Sequence, residues 1–211
     1  TAATYQITGL TSLTDYEVQV RSNCGSTNSA YSSSVQFTTT DVIPCTGAVV
    51  SSYPYLETFD SGIGDWVQAS GDDGDWSLDA NGTGTTNTGP SDDITGGGNY
   101  FYTEASNGGL GTNATAILVS PCFSLTSPSH SNFSFNYHMY GNATGTLSLE
   151  ISTDDGTNWT SLFSQSGNQG NSWFNENIDI TAYLGETVKL RFVATTGGGI
   201  RSDIAIDHIA I

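Results

Sequence analysis

Short segments in which apolar and polar residues alternate make up much of the chain. The clearest are residues 133–140, 147–152 and 190–195, where every second side chain on one face is apolar. A period of two is typical of strands that bury one face. Turns rich in glycine and aspartate separate such segments, for example DDG at 154–156 and GGG at 197–199. The pattern therefore predicts an all-β protein.

The long C-terminal part, residues 55–211, is predicted to be one domain. Its predicted strands cover residues 56–59, 66–68, 76–78, 100–104, 116–119, 130–140, 145–152, 162–165, 174–179, 188–195 and 204–210. Half-buried strands at this spacing favour a two-sheet jelly-roll β-sandwich. The only helix-like segment is a single turn at residues 180–185.

Residues 1–40 show a second, shorter strand pattern. Tyr5, Ile7 and Leu10 are strand-like, Tyr16, Val18 and Val20 alternate with polar residues, and a further strand follows at 35–38. This segment resembles the last three strands of a fibronectin type III domain, an immunoglobulin-like sandwich, with Tyr16 at the family's corner tyrosine. Forty residues bury too small a core to be stable alone. We expect them to pack against further chain, against the next domain or against a partner. The alternative is that they form an integral sheet of the following domain.

Residues 41–54 form a predicted linker that contains Pro44 and Pro54. If strands 16–22 and 35–40 pair as a hairpin, Cys24 and Cys45 lie roughly 20 Å apart at ~3.3 Å per residue. A disulfide requires Cα atoms within ~7 Å. We therefore expect a Cys45–Cys122 bridge, with Cys24 free or paired with absent chain; the alternative is three buried thiols.

Charge narrows the classes of partner. The 211 residues contain 4 Lys plus Arg against 21 Asp plus Glu, a formal net charge of −17. Such a surface repels nucleic acid and anionic lipid and tolerates bound divalent cations. No segment is apolar and long enough to span a membrane. The chain opens in mid-strand without a signal peptide, so we expect a piece of a longer secreted or cell-surface protein.

One loop stands out for its candidate chemistry. Residues 89–103 begin rich in glycine and aspartate and end as an aromatic strand. Other acidic segments are Asp60, the DDGDW run at 72–76 and the closing run at 202–209. Side-chain and backbone oxygens of this kind suit a hard cation such as Ca²⁺. The sequence therefore predicts a structural calcium-type site.

Seven short motifs occur in order across the C-terminal part. They begin at Phe59, Asp72, Gly89, Leu118, Phe135, Gly167 and Ser202, and read FDSG (followed by WVQ), DDGDW, GPSDDIT, LVSP, FNYHMYG, GNQGNSW and SDIAIDHI. The series resembles that of MAM domains. Asp60 stands where the family usually has Glu, Ile94 where it has His, and His208 where it has a second acid. The cysteine pattern of animal members is absent, so the chain looks like a bacterial member.

The resemblance implies a jelly-roll sandwich with a structural cation, and a role in adhesion or recognition. The candidate carboxylate ligands are Asp60, Asp75, Asp93 and Asp207, with Asp73 in reserve. Backbone oxygens from Thr95 to Gly98 would complete the six to eight oxygens that Ca²⁺ takes. The alternative is that these are ordinary solvated turn aspartates.

No catalytic motif is present, so an enzyme is not expected. Asp203, Arg201 and His138 could form a polar surface site, although a core role for His138 is the simpler prediction. Trp159, Tyr140 and Arg201 are candidate ligand-binding residues. The leading hypothesis is an adhesion module that binds protein or glycan at the cell surface beside neighbouring domains. The alternatives are a carbohydrate-binding module that targets an appended enzyme, and a structural spacer.

Overall fold

A computed structural model of the chain describes residues 7, 10–11, 13–39, 45–106, 108–125 and 132–211. Contacts between Cα atoms divide the chain into two compact units, Thr1–Pro44 and Cys45–Ile211. The predictions for Tyr5, for residues 41–44 of the linker and for residues 130–131 of a strand lie outside the described residues.

The first unit contains a two-stranded antiparallel sheet. Strand β1 (Asp15–Val18) pairs with β2 (Val35–Thr38), and the stacked rings of Tyr16 and Phe37 lie 5.9 Å apart. The Tyr16 hydroxyl oxygen accepts a hydrogen bond of 2.8 Å from the Thr11 N–H. None of this unit's described residues is buried. Because an isolated two-stranded sheet is marginal in water, this part needs further packing to be stable.

The second unit is a sandwich of two mainly antiparallel sheets, which confirms the predicted all-β class. Its strands are β3 (Val49–Val50), β4 (Leu56–Glu57), β5 (Val67–Gln68), β6 (Ser77–Asp79), β7 (Tyr100–Thr103), β8 (Thr115–Val119), β9 (Cys122–Ser124), β10 (Asn132–Met139), β11 (Thr146–Ser152), β12 (Thr160–Ser166), β13 (Trp173–Asp179), β14 (Thr187–Thr195) and β15 (Ile204–Ala210). A single 3₁₀ turn, Thr181–Tyr183, lies between β13 and β14.

The first sheet has the order β13-β10-β15-β7-β6, with β4 added to β15. The second has the order β12-β11-β14-β8-β5, with β9 on β14 and β3 on β9. Alternating side chains of β10, β11 and β14 fill the core between the sheets. At its centre the rings of Phe135 and Phe192 meet edge to face at 4.9 Å. Burying these rings removes much apolar surface from water, which is the main force that holds the sheets together.

The N-terminal boundary of the sandwich differs from the prediction. A disulfide joins Cys45 to Cys122, and Val49–Val50 pairs in parallel with Cys122–Phe123. Residues 45–54, assigned above to a linker, are therefore attached to the second unit. A strand of two valines is too short to produce a periodic pattern, which is why β3 was not predicted. Cys24 is free and exposed.

The loop between β6 and β7, residues 80–99, covers the outer face of the first sheet. The Trp173 indole N–H donates to the Asp92 carbonyl at 3.1 Å, and the Gly89 N–H donates to the Tyr140 carbonyl at 3.2 Å. The Tyr100 hydroxyl donates to the Asn81 carbonyl. Beneath the loop, Tyr100 and Tyr102 form a small aromatic cluster of their own with Ala205. This β6–β7 loop carries Asp93, one of the predicted ligands, and lies beside the strand that carries Asp207.

Candidate metal centre

The Asp93 carboxylate accepts hydrogen bonds from the end of the β6–β7 loop. Its Oδ1 accepts hydrogen bonds from the N–H groups of Gly96, Gly97 and Gly98 at 2.8, 2.6 and 2.9 Å. Its Oδ2 accepts the Thr95 N–H at 3.0 Å and the Thr95 hydroxyl. The loop can wrap around the carboxylate because Gly96 and Gly97 adopt φ angles of +82° and +131°, which favour glycine.

These hydrogen bonds fix the charge of Asp93. Burial alone would raise the pKa of the carboxyl, since the side chain is only 6% exposed. The bonds from Thr95, Gly98 and Gly97 outweigh burial and hold the pKa of Asp93 well below its ordinary value. Asp93 is thus a permanent negative charge in the loop.

Asp60, in the loop between β4 and β5, contacts the end of the β6–β7 loop. Its Oδ1 accepts the Asn99 N–H at 2.9 Å, and its Oδ2 accepts the Thr58 hydroxyl at 3.0 Å. A Cβ added to Gly98 would lie 2.1 Å from Asp60 Oδ1 and 2.9 Å from Asp93 Oδ2. The two carboxylates therefore flank Gly98.

Asp207 approaches the loop from strand β15. It is 0% exposed; its Oδ2 accepts the Ile94 N–H at 3.2 Å and its Oδ1 accepts the His208 N–H at 2.7 Å. Burial raises the pKa of Asp207, and the negative charge of Asp93 raises it further. The pairing register of β15 with β10 shifts here, and His208 has a φ of +50°. This bulge leaves His208 Nδ1 3.6 Å from Asp207 Oδ1.

No lysine or arginine neutralises Asp60, Asp93 and Asp207. The chain has 4 such residues, and all of them lie among the described residues. Their charged groups contact other partners. Lys189 pairs with the Asp155 carboxylate, and Arg191 pairs with the Glu150 carboxylate. Arg21 lies over the Tyr31 ring, and Arg201 donates to the Thr86 carbonyl. Carboxylates gathered in a partly buried region without a cation repel one another. The oxygen donors and the uncompensated charge fit a hard cation.

The spacing of the carboxylates is looser than that of a closed metal cage. Among the described residues, the only three His, Cys, Asp or Glu ligand atoms within 4.8 Å of one another belong to Cys45, Cys122 and Asp155. Both of those cysteines are used in the disulfide. The oxygens of the three candidate ligands instead accept hydrogen bonds from backbone N–H groups; these ligands are Asp60, Asp93 and Asp207.

The other two predicted carboxylates occupy different positions. Asp73 Oδ2 accepts the Thr115 N–H at 2.8 Å and so caps the start of strand β8. Asp75 is exposed. Neither has a described contact with Asp60, Asp93 or Asp207, and their role as ligands stays a prediction.

Residues 58–211 match the family model described as MAM domain, meprin/A5/mu. The chain belongs to the MAM family. A human MAM domain-containing glycosylphosphatidylinositol anchor protein 2 is 34% identical over 177 residues, which cover 75% of this chain and 18% of that protein. A mouse MAM domain-containing protein 2 is 33% identical over 155 residues, which cover 73% of this chain and 22% of that protein. The chain thus spans about a fifth of these relatives' length.

Solved structures support the fold of this MAM domain. The K1 cleaved adhesin domain of Lys-gingipain from Porphyromonas gingivalis W83 superposes with a TM-score of 0.53 at 20% identity, covering 75% of this chain and 97% of that domain. The K3 cleaved adhesin domain of the same protein gives 0.52 at 17% identity, covering 74% and 97%. At this identity the likeness concerns the sandwich fold alone.

Several of the relatives carry a glycosylphosphatidylinositol anchor in their names. None of the helical segments in the described residues is long and apolar enough to cross a membrane.

The predicted ligand-binding residues of the MAM domain have separate sets of described contacts, and their role stays a prediction. The Arg191 guanidinium lies 4.3 Å from the centre of the Trp159 ring, on the second sheet. Tyr140 follows β10 of the first sheet, and Arg201 Nε donates to the Thr86 carbonyl at 3.1 Å. No described contact joins Trp159 to either of them.

The suggested polar surface site of Asp203, Arg201 and His138 is not at the surface. Asp203 is 0% exposed and His138 is 2% exposed. The Asp203 N–H donates to the Thr88 hydroxyl of the β6–β7 loop, and the His138 ring contacts Trp173 and Asn171. No local pattern around residues 201–203 indicates that Asp203 is buried, because the burial follows from the path of the distant β6–β7 loop.

Proposed function

We propose that this chain is a non-catalytic adhesion or interaction module of a secreted or cell-surface multidomain protein. Its rigid sandwich would present loops to a protein or glycan partner. The observation that carries the proposal is the MAM match across residues 58–211. Relatives that bear a glycosylphosphatidylinositol anchor in their names support a surface location.

We further propose that Asp60, Asp93 and Asp207 hold a calcium-type cation. Three separate segments of the chain supply these carboxylates, and no lysine or arginine balances them. A bound Ca²⁺ would supply positive charge that ties the β4–β5 loop and the β6–β7 loop to strand β15. The proposed role of the ion is to brace the loops.

The parent protein is the third part of the proposal. We infer that it is bacterial and that residues 1–40 belong to a fibronectin type III domain. The absence of the animal cysteine pattern supports the first point. The second is supported by the contact of the Tyr16 hydroxyl with the Thr11 N–H, since a corner tyrosine bonds to the backbone a few residues upstream.

Cell-surface binding in calcium and in chelator tests the function. The immobilised chain should retain cells or extracts of cell-surface protein and glycan in calcium, and retain less after chelation. Asp207→Asn should weaken retention, whereas Asp75→Asn, which removes the same charge from an exposed side chain, should not. No retention of either partner class would contradict the adhesion role. Retention that is equal in all conditions would contradict only the calcium part.

Glycan binding by the second sheet is the alternative function. Its supporting observation is that Trp159, Arg191 and Glu150 form a connected group of a ring, a cation and a carboxylate. Retardation of the chain in gels that contain polysaccharide, lost in Trp159→Ala, would favour this alternative. Unretarded migration with every polysaccharide, together with capture of a protein partner, would exclude it.

A further inference from the structure

Asp203 is a buried carboxylate with half of its acceptor capacity unused. Its residue is 0% exposed, and its Oδ1 accepts the Ala105 N–H at 3.0 Å. Its Oδ2 is buried and has no hydrogen-bond partner. Burial raises the pKa of Asp203 to about 6. Leaving a buried carboxylate oxygen unpaired is unfavourable, so we expect an occupant beside Asp203 Oδ2.

Apart from the Ala105 N–H, the described neighbours of the Asp203 carboxylate are a hydroxyl group and a second acid. The Thr83 hydroxyl lies beside it but donates its hydrogen to the Thr88 carbonyl at 3.1 Å. Glu104 adds a second negative charge nearby. Its Oε2 lies 3.7 Å from the position of a Cβ on Gly84, so its side chain points towards the β6–β7 loop.

No cationic side chain compensates this cluster. Among the described residues, neither Asp203 nor Glu104 has an ion pair with Lys, Arg or His within 4.0 Å. Two carboxylates, a hydroxyl oxygen and the carbonyls of a loop are the ligand types of a hard divalent cation.

We propose that Asp203, Glu104 and Thr83 form a second hard-cation site, of the Ca²⁺ class, in which Asp203 Oδ2 is the buried ligand. Glu104 is only partly buried and gives the ion a route from solvent. Water would supply the remaining ligands of the six to eight that Ca²⁺ takes.

This site is separate from the one at Asp207. Asp203 directly precedes strand β15, whose first residue, Ile204, pairs with Thr103. Asp207 lies within the strand, just past the Ile206–Phe101 pair, and accepts the Ile94 N–H. The second ion would fix the early part of the β6–β7 loop, as the first would fix its end.

Calorimetric titration of the metal-free full chain with CaCl₂ tests the proposal. Wild type should bind two ions. Asp203→Asn keeps the acceptor for the Ala105 N–H, removes the charge, and should bind one ion. Asp207→Asn, the matched change at the other site, should also bind one, and the double variant none. Wild-type stoichiometry in Asp203→Asn would overturn the second site and leave a protonated carboxyl as the explanation of the buried group.

A milder variant keeps the test decisive if Asp203→Asn does not fold. Glu104→Gln alters a partly exposed side chain and should weaken one of the two calcium affinities at least tenfold. Two unchanged affinities would overturn the proposal. If Asp207→Asn still binds two ions while Asp203→Asn binds one, the second site stands and the proposed Asp60–Asp93–Asp207 site fails.

Discussion

Asp60 and Asp93 both place a carboxylate oxygen beside the same glycine, Gly98. A Cβ there would meet Asp60 Oδ1 at 2.1 Å and Asp93 Oδ2 at 2.9 Å. Gly98→Ala should therefore push the carboxylates apart and lower the free energy of unfolding by about 1–3 kcal/mol. Urea denaturation measures the change, and calcium affinity should fall with it.

Gly82→Ala is the control for that prediction. Its added Cβ would lie 3.6 Å from the nearest atom, an ordinary contact, in the same loop and without a left-handed φ. It should leave the unfolding free energy within about 0.5 kcal/mol of wild type. Equal stability of the two variants would show that the space around Gly98 is not restricted.

Asp93→Asn should destabilise the β6–β7 loop even without metal. The asparagine amide keeps one oxygen that accepts the glycine N–H groups. Its NH₂ group replaces Asp93 Oδ2, which in the native chain accepts the Thr95 N–H and the Thr95 hydroxyl, so both of these hydrogen bonds are lost. We expect a loss of about 1.5–3 kcal/mol in the free energy of unfolding, the range for hydrogen bonds to a charged group.

Asp92→Asn provides the comparison, measured in the same denaturation series. Asp92 Oδ1 accepts the Asp93 N–H at 3.0 Å, and asparagine keeps that acceptor. It should stay near wild type. A similar loss in both variants would mean that loop charge in general, and not the Asp93 contacts, sets the stability.

The disulfide should contribute substantially to the second unit. It closes a span of 77 residues between Cys45 and Cys122, for which chain entropy predicts about 4 kcal/mol. Cys45→Ser should lower the melting temperature, and the free, exposed Cys24→Ser should not. If reduction leaves the melting temperature unchanged, the bridge contributes nothing to folding.

His138 should make stability fall in mild acid. Burial lowers the pKa of His138 to about 4, although the hydrogen bond with Asn171 opposes the shift. Unfolded histidine titrates near its ordinary value of 6.5, so the unfolded chain binds more protons between those values. The contribution of His138 to the unfolding free energy should drop as the pH falls from about 6.5 to about 4, while the raised pKa of Asp203 and of Asp207 contributes in the opposite direction. His138→Gln should lose this part of the slope in denaturation curves; an unchanged slope would contradict the burial argument.

Alternation along the chain was enough to predict most of the sandwich. Strand β15 has the predicted limits, and β10, β11 and β14 lie within a residue or two of theirs where the structure describes them. The pattern missed strands β3 and β9, because strands of two and three residues are too short to show a period. Strand β4 ends before residue 59 because Phe59 takes a φ of +58° and packs into the core, a backbone choice that composition does not encode.

The candidate site was predictable only in part. Glycine and aspartate composition identified the loop around Asp93, and the motif order brought Asp60 and Asp207 to it. Asp75 belongs to a motif of the same type, yet it is exposed. The burial of Asp203 depends on residues 80–99 crossing the sheet more than a hundred positions earlier in the chain, and a local pattern carries no information about that contact.

The central claim is that a hard cation braces the loops around Asp60, Asp93 and Asp207. Melting of the metal-stripped chain with calcium and with chelator tests it most directly. At a hundredfold excess over Kd, one bound ion contributes about 2.7 kcal/mol, or roughly 5–10 °C for a domain of this size. Wild type and Asp75→Asn should show the full rise in melting temperature, and Asp207→Asn a smaller one. The same melting temperature for wild type in calcium and in chelator would contradict the account.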